Sequence, residues 1–141
     1  AGNKLNLEIT ESAAICDFDK VTKTIKACKK LGVTFSLDDF GVGYSSLIYL
    51  RRLPVDIIKI DKSFTSGMLS DPEDLAVVTS VVTLSREFKR KVVAEGAETN
   101  EQLSMLHSLN CNYAQGYGIA KPMPANQVAS WVKANHPFKY N

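Results

Sequence analysis

Asp38 and Asp39 stand side by side after the apolar run Val33 to Leu37, directly before a glycine-rich turn, Phe40-Gly41-Val42-Gly43. Adjacent carboxylates repel each other and resist burial unless a cation balances them. One chemistry for such a pair is capture of a divalent metal ion; the plainer alternative is a solvated acidic turn. Other reactive groups recur in similar company: Glu8, Lys59 with Asp61, Glu95 with Glu98, and Gln115 each lie at or just past a short strand-like run. Lys59, inside the isoleucine-rich stretch Asp56 to Ile60, requires acidic partners or a phosphate if it is buried, because an unpaired ammonium is costly to desolvate. Glu8 and Glu11 also read as surface or helix-start charges, and Glu95, ahead of Gly96, as a solvated strand end. His107 and His136 fit neither metal nor catalytic spacing, and Met68, Met105 and Met123 read as gap fillers.

The elements that must position these groups alternate along the chain. Strands are expected at Leu5 to Ile9, Val33 to Leu37, Asp56 to Ile60, Val92 to Ala94 and, weakly, Tyr113 to Gln115. Between the first two, Asp17 or Asp19 caps a helix with Val21, Ile25, Cys28 and Leu31 on one stripe. A short helix from Ser45 to Leu53 stops before Pro54, and a longer one from Pro72 to Phe88 aligns Leu75, Val78 and Val82. Thr99 to Gln102 has the form of a capping box for a helix bearing Leu103, Leu106 and Leu109. Pro124 suits the first turn of a last helix with Val128, Trp131 and Val132. Five strand-helix units in succession predict a parallel α/β sheet, whose strand C-termini share one rim where such folds build their sites. Because alternate residues share a face, Asn6, Glu8 and Thr10 oppose Leu5, Leu7 and Ile9, and Lys59 and Asp61 oppose Ile58 and Ile60. Polar faces looking inward and apolar faces under helices fit a barrel.

Composition narrows the class. With 141 residues, 45% hydrophobic and 23% charged, the chain is long enough for one domain with a real core. The net charge of +2 gives no support for binding a nucleic-acid polymer or a membrane through a basic surface. Cys16, Cys28 and Cys111, without a CxxC spacing, read as reduced thiols of a cytoplasmic protein. The weakly polar stretch Leu75 to Leu84 is far short of the roughly 20 residues a membrane helix needs. Ala1-Gly2-Asn3 reads equally as native chain or as a cloning remnant.

Leu7-Glu8-Ile9-Thr10-Glu11-Ser12, Asp38-Asp39-Phe40-Gly41-Val42-Gly43-Tyr44-Ser45-Ser46-Leu47, Lys59-Ile60-Asp61-Lys62-Ser63-Phe64, Ala94-Glu95-Gly96-Ala97-Glu98-Thr99, and Gln115-Gly116-Tyr117 with Lys121-Pro122-Met123-Pro124 resemble, in order, the motifs of the EAL domain. That family comprises bacterial cyclic di-GMP phosphodiesterases. A lone Asp-Phe-Gly also occurs in protein kinases, but no HRD-type catalytic loop or glycine-rich phosphate loop precedes this one.

The resemblance implies a partial TIM-type (β/α) barrel, about five parallel strand-helix units of the usual eight, as a single truncated EAL-type domain over residues 1–141. It also implies a pair of Mg²⁺ or Mn²⁺ ions that activate water for in-line attack on one phosphodiester of cyclic di-GMP, giving linear pGpG. Carried across by motif, Glu8 and Asp38 are metal ligands, Asp38 bridging the ions and Asp39 serving the second. Lys59 holds the attacking water or the phosphate charge, Glu95 is ligand or general base, and Glu98 and Gln115 orient water and substrate. Glu11 pins the Asp39 to Ser46 loop, which in the family links metal binding to dimerisation. The family's Glu-Ala-Leu segment and metal-site Asn have no counterpart here; Ile119-Ala120 replace the usual Phe-Ser, and Val42 a frequent Thr. The expectation is a phosphodiesterase parent, with this chain alone impaired or inactive; the alternative is a cyclic di-GMP-binding, regulatory or interaction module without catalysis. Open edges at Leu5 to Ile9 and near Tyr113 to Gln115 are expected to pair with a second copy or another chain. A bacterial cytoplasmic setting is expected, whether or not the parent is tethered to a membrane.

Overall fold

The computed structural model describes residues 5–42 and 47–135. Along the chain run β1 (Asn6–Thr10), α1 (Glu11–Cys16), α2 (Phe18–Lys29), β2 (Thr34–Phe40), α3 (Leu47–Arg52), β3 (Ile57–Ile60), α4 (Lys62–Gly67), α5 (Pro72–Glu87), β4 (Lys91–Glu95), α6 (Asn100–Ser108), β5 (Tyr113–Gln115) and α7 (Ala125–Asn135). The strands form one sheet in the order β1-β2-β3-β4-β5, each pair parallel. Every crossover contains a helix, as parallel neighbours require. The result is the predicted α/β architecture, a partial barrel with β1 and β5 as its edges.

Local chemistry sets the helices. Asp17 starts α2 by accepting the Lys20 N–H at 3.1 Å, and Lys26 and Lys29 in its last turn complement the helix dipole. Asp71 starts α5 by accepting the Glu73 N–H at 2.8 Å, with Pro72 at the first helical position. In α6 the expected capping box is complete: Thr99 and Gln102 each satisfy the other's backbone N–H. The core lies between sheet and helices. Phe35 and Leu37, Ile58 and Ile60, and Val92 and Ala94 share one face of β2, β3 and β4, and pack with Ile25, Val78, Val82, Leu103 and Leu106. Each fully buried Leu, Ile or Val contributes about 2 kcal/mol, so this layer fixes the sheet from which the site projects.

Several expectations change. Leu31 is 74% exposed: the stripe breaks because the Lys30 and Leu31 N–H groups bond back three residues, to the Ala27 and Cys28 carbonyls, tightening the turn and swinging Leu31 outward. β2 does not stop at Leu37 but runs through Asp38 and Asp39 to Phe40. Two six-residue helices, α1 and α4, are added. No residue of α7 is buried, so the face carrying Val128 and Val132 is uncovered; Leu7 on β1 and Leu5 just before it are likewise exposed rather than roofed by helices. The three cysteines are free thiols, and burial pushes the Cys111 thiol above its usual value. Among the described residues no helix is long and apolar enough to cross a membrane. The readings of Ala1 to Asn3, Gly43 to Ser46 and His136 lie outside the described residues.

Candidate active site

Strand register alone gathers five of the sequence-selected residues on one face. Glu8 pairs with Ser36 and Thr10 with Asp38 across β1 and β2; Ser36 pairs with Ile57, Lys59 with Val93, and Glu95 with Gln115. Since side chains two apart share a face, Glu8, Asp38, Lys59, Glu95 and Gln115 all lie opposite the apolar layer. Asn6 and Ser36 complete this polar face below them, the Ser36 hydroxyl donating to the Asn6 side-chain oxygen at 2.7 Å.

Lys59 is the hub. Only 6% exposed, its Nζ lies 2.8 Å from Glu95 Oε1, 2.9 Å from Glu8 Oε1 and 3.0 Å from Asp38 Oδ1. Burial works against its charge, but the hydrogen bonds it donates to Glu95 and Glu8, with the Asp38 carboxylate beside it, outweigh burial and hold the ammonium above the normal lysine pKa range. The three carboxylates thus favour the charged form of Lys59. Three carboxylates around one ammonium leave about two excess negative charges. Asp38 Oδ1 is buried and, though near Lys59, receives no well-aligned hydrogen bond.

The acidic doublet owes its geometry to a bulge. Leu37 pairs with Ile58 and Phe40 with Ile60, so β2 spends one residue more than β3 across the same interval. Asp39 takes up the excess at φ +55°, a left-handed conformation that Asp tolerates better than most residues, and its side chain is exposed. Gly41 follows at φ +105°, and a Cβ there would come within 2.9 Å of the Phe64 ring of α4. The doublet thus sits on a shaped strand end braced by α4, not on a free turn.

Glu98 stands apart from the Lys59 cluster. It is ion-paired with Lys62 at 3.0 Å, and the Lys62 stem crosses Gly96, whose φ of +70° and missing Cβ leave the room. Gln102, nearly buried, accepts the N–H groups of Glu98 at 2.7 Å and Thr99 at 3.1 Å, and donates to the Thr65 carbonyl at 3.3 Å. The loop joining Glu95 to Glu98 is therefore tied to α4 by Lys62 and Gln102. Sequence reasoning missed both roles; the visible signal was a Gln in a capping box next to two glutamates. Gln115 is exposed on the polar face, and Glu11 is buried at the start of α1.

Glu8, Asp38, Asp39 and Glu95 offer hard oxygen donors, the set that Mg²⁺ or Mn²⁺ takes, and the excess of carboxylates over the one ammonium fits such a cation. Among the described residues no three acidic, His or Cys side chains are grouped to hold an ion by themselves; the carboxylates meet on the ammonium.

Fold and site define a class: a partial βα barrel with a carboxylate-and-lysine centre on the C-terminal rim of its strands. The chain belongs to the EAL domain family, whose model matches residues 1–122. It is 44% identical over 128 residues to MucR of Pseudomonas aeruginosa, a bifunctional diguanylate cyclase/cyclic di-GMP phosphodiesterase, a match covering 91% of this chain and 19% of MucR. The structure of the PaMucR phosphodiesterase in complex with c-di-GMP superposes with a TM-score of 0.85 at 44% identity, covering 90% of this chain and 51% of that one. BlrP1 of Klebsiella pneumoniae, solved as a manganese and cyclic di-GMP complex, gives 0.79 at 35% identity over 86% of this chain and 31% of its own. The chain thus spans about a fifth of the curated relative (19%) and about half of the solved PaMucR chain (51%).

Proposed function

We propose that the protein to which this chain belongs hydrolyses cyclic di-GMP to linear pGpG, with the Lys59 cluster as the reacting centre. The observation that carries this is the convergence of Glu8, Asp38 and Glu95 on the buried Lys59 ammonium at a strand rim. Phosphodiester hydrolysis requires a water to attack phosphorus, a ribose oxygen to leave, and the negative charge built up on the phosphoryl oxygens to be stabilised. Lys59 supplies fixed positive charge for those oxygens and, being protonated, does not remove the water's proton. Glu95, on the same polar face, is the base or a ligand. Glu98, steadied by Lys62 and Gln102, and Gln115 orient water and substrate. Glu8, Asp38 and Asp39 would hold Mg²⁺ or Mn²⁺, which when bound lowers the pKa of water and offsets charge on the attacking and leaving oxygens. Glu11, buried beside β2, would hold the loop after Asp39.

A second reading has its own observation. Among the described residues no three acidic, His or Cys side chains are grouped to hold an ion, the carboxylates being taken up by Lys59, which favours a nucleotide-binding or interaction module without catalysis, one that pairs with a second copy or another chain. One assay separates the two. Cyclic di-GMP is incubated with the full protein and Mg²⁺ or Mn²⁺, the products are resolved by chromatography, and binding is measured in parallel with Ca²⁺. Formation of pGpG supports hydrolysis; saturable binding without product supports the second reading; neither binding nor product excludes both.

A further inference from the structure

The opposite end of the sheet carries a cavity whose chemistry is the reverse of the Lys59 cluster. It has a volume of about 520 Å³, lies at the N-terminal ends of β3 and β4, and is walled by Lys29, Asp56, Lys89, Arg90, Lys91 and Tyr113. Lys29 is ion-paired with Asp56 and donates to the Pro54 carbonyl at 3.1 Å, while Asp56 Oδ2 accepts the Phe35 N–H at 2.9 Å. That pair is internally satisfied. Arg90 is satisfied only in part: Nη1 donates to the Val55 carbonyl at 2.7 Å and Nη2 to the Arg51 carbonyl at 3.4 Å, while its buried Nε has no hydrogen-bond partner among the described residues. Burial pushes the Arg90 pKa below the usual arginine value, with the Asp56 charge opposing. Lys91 donates to a neutral group, the Tyr113 hydroxyl, at 2.8 Å. Among the described residues no carboxylate lies within ion-pair distance of Lys89, Arg90 or Lys91.

Helix dipoles account for part of this charge. α2 and α5 end at the cavity, and each C-terminus carries roughly half a negative charge. With Asp56 they offset about two of the four cations and leave about two unbalanced. A phosphate monoester carries about −1.5 to −2 at neutral pH, and the volume falls in the range of small-ligand sites.

We infer that this cavity binds a phosphate-bearing small molecule, its phosphate drawn between Lys89, Arg90 and Lys91 and any ring it carries lying against Tyr113. The site stands apart from the Lys59 cluster by the length of β4, five residues and so roughly 13 Å at about 3.3 Å per residue; it does not depend on the reading of the active site.

The test titrates the uniformly ¹⁵N-labelled chain with pyrophosphate and, separately, adenosine monophosphate, in EDTA at constant ionic strength, with sulfate as the control anion. Saturable movement of the Arg90 Nε–Hε cross-peak and of the Lys91 and Tyr113 amides is expected. The affinity should fall at least tenfold in a Lys89→Met/Lys91→Met variant, which leaves the Arg90 bond to Val55 in place, and stay unchanged in Asp38→Asn. Tighter binding of adenosine monophosphate than of pyrophosphate would identify a nucleotide, and the converse a simple phosphoanion. Shifts that do not saturate, that sulfate reproduces, that centre on Lys59, or that survive the double substitution would overturn the assignment.

Discussion

Lys59 holds the polar face together by charge. Removing the ammonium while keeping its stem, in Lys59→Met, leaves Glu8, Asp38 and Glu95 facing one another without a counter-ion, and unpairing the partly buried Asp38 and Glu95 costs about 2 kcal/mol. Urea unfolding at pH 7 should show that loss, while Glu8→Gln, at the half-exposed member of the cluster, should cost less than about 1 kcal/mol; equal effects of the two would show that Lys59 is not the hub. The sign of the pH dependence follows from the raised pKa. Stability contributed by Lys59 is complete below the unfolded lysine value, near 10.4, and is lost only as pH rises through the higher folded value. That Lys59 needs acidic partners was legible from an ammonium alternating with isoleucines. The conformation of Asp39 was not, because a bulge arises from pairing between strands and leaves no period in either one.

At the scale of elements, α4 carries as much of the site as the strands do. Asp61 starts it, accepting the Ser63 N–H at 2.8 Å and the Ser63 hydroxyl, and the hydrogen bonds from Ser63 hold its carboxyl below the ordinary range. A depressed folded pKa stabilises above the unfolded value, near 3.9. Asp61→Ala should therefore cost about 1 kcal/mol at pH 7, and the gap from the parent chain, followed by thermal unfolding, should close as pH falls through the folded pKa. A gap that widens in acid would refute the cap. Gln102→Ala should cost about 2 kcal/mol by orphaning the Glu98 and Thr99 N–H groups; calorimetric unfolding measures it, and a neutral result would mean the loop is not tied through α6. The long helices were legible because α5 runs 16 residues, enough for a 3.6-residue stripe to declare itself. α1 and α4 were not, since six residues hold less than two turns and their caps, Thr10 and Asp61, already read as strand ends. Leu31 misled for a related reason: the stripe cannot report that the last turn tightens.

For the whole molecule, the parallel order, the shared rim and the carboxylates gathered on it followed from alternation, but the cationic character of the opposite end went unread. Carboxylates collect at strand C-termini, and Lys26, Lys29, Arg51, Arg52 and Arg86 in the last helical turns balance dipoles at the other end. The unpaired backbone of β1 and β5 and the exposed Leu5, Leu7 and Tyr113 beside them make association the expected solution behaviour. Light scattering at micromolar concentration should report a mass above the monomer's 15.5 kDa, whereas a cooperative, well-folded monomer would argue against edge pairing. The central claim, that the polar rim is a phosphodiesterase centre organised around Asp38 and Lys59, is tested most directly by the rate of pGpG release from cyclic di-GMP. That rate is compared between the full protein and its Asp38→Asn variant at saturating Mg²⁺ or Mn²⁺. A fall in kcat of at least about a hundredfold with unchanged circular dichroism is predicted, on the scale of losing one charge-stabilising group; an undiminished kcat would contradict the account.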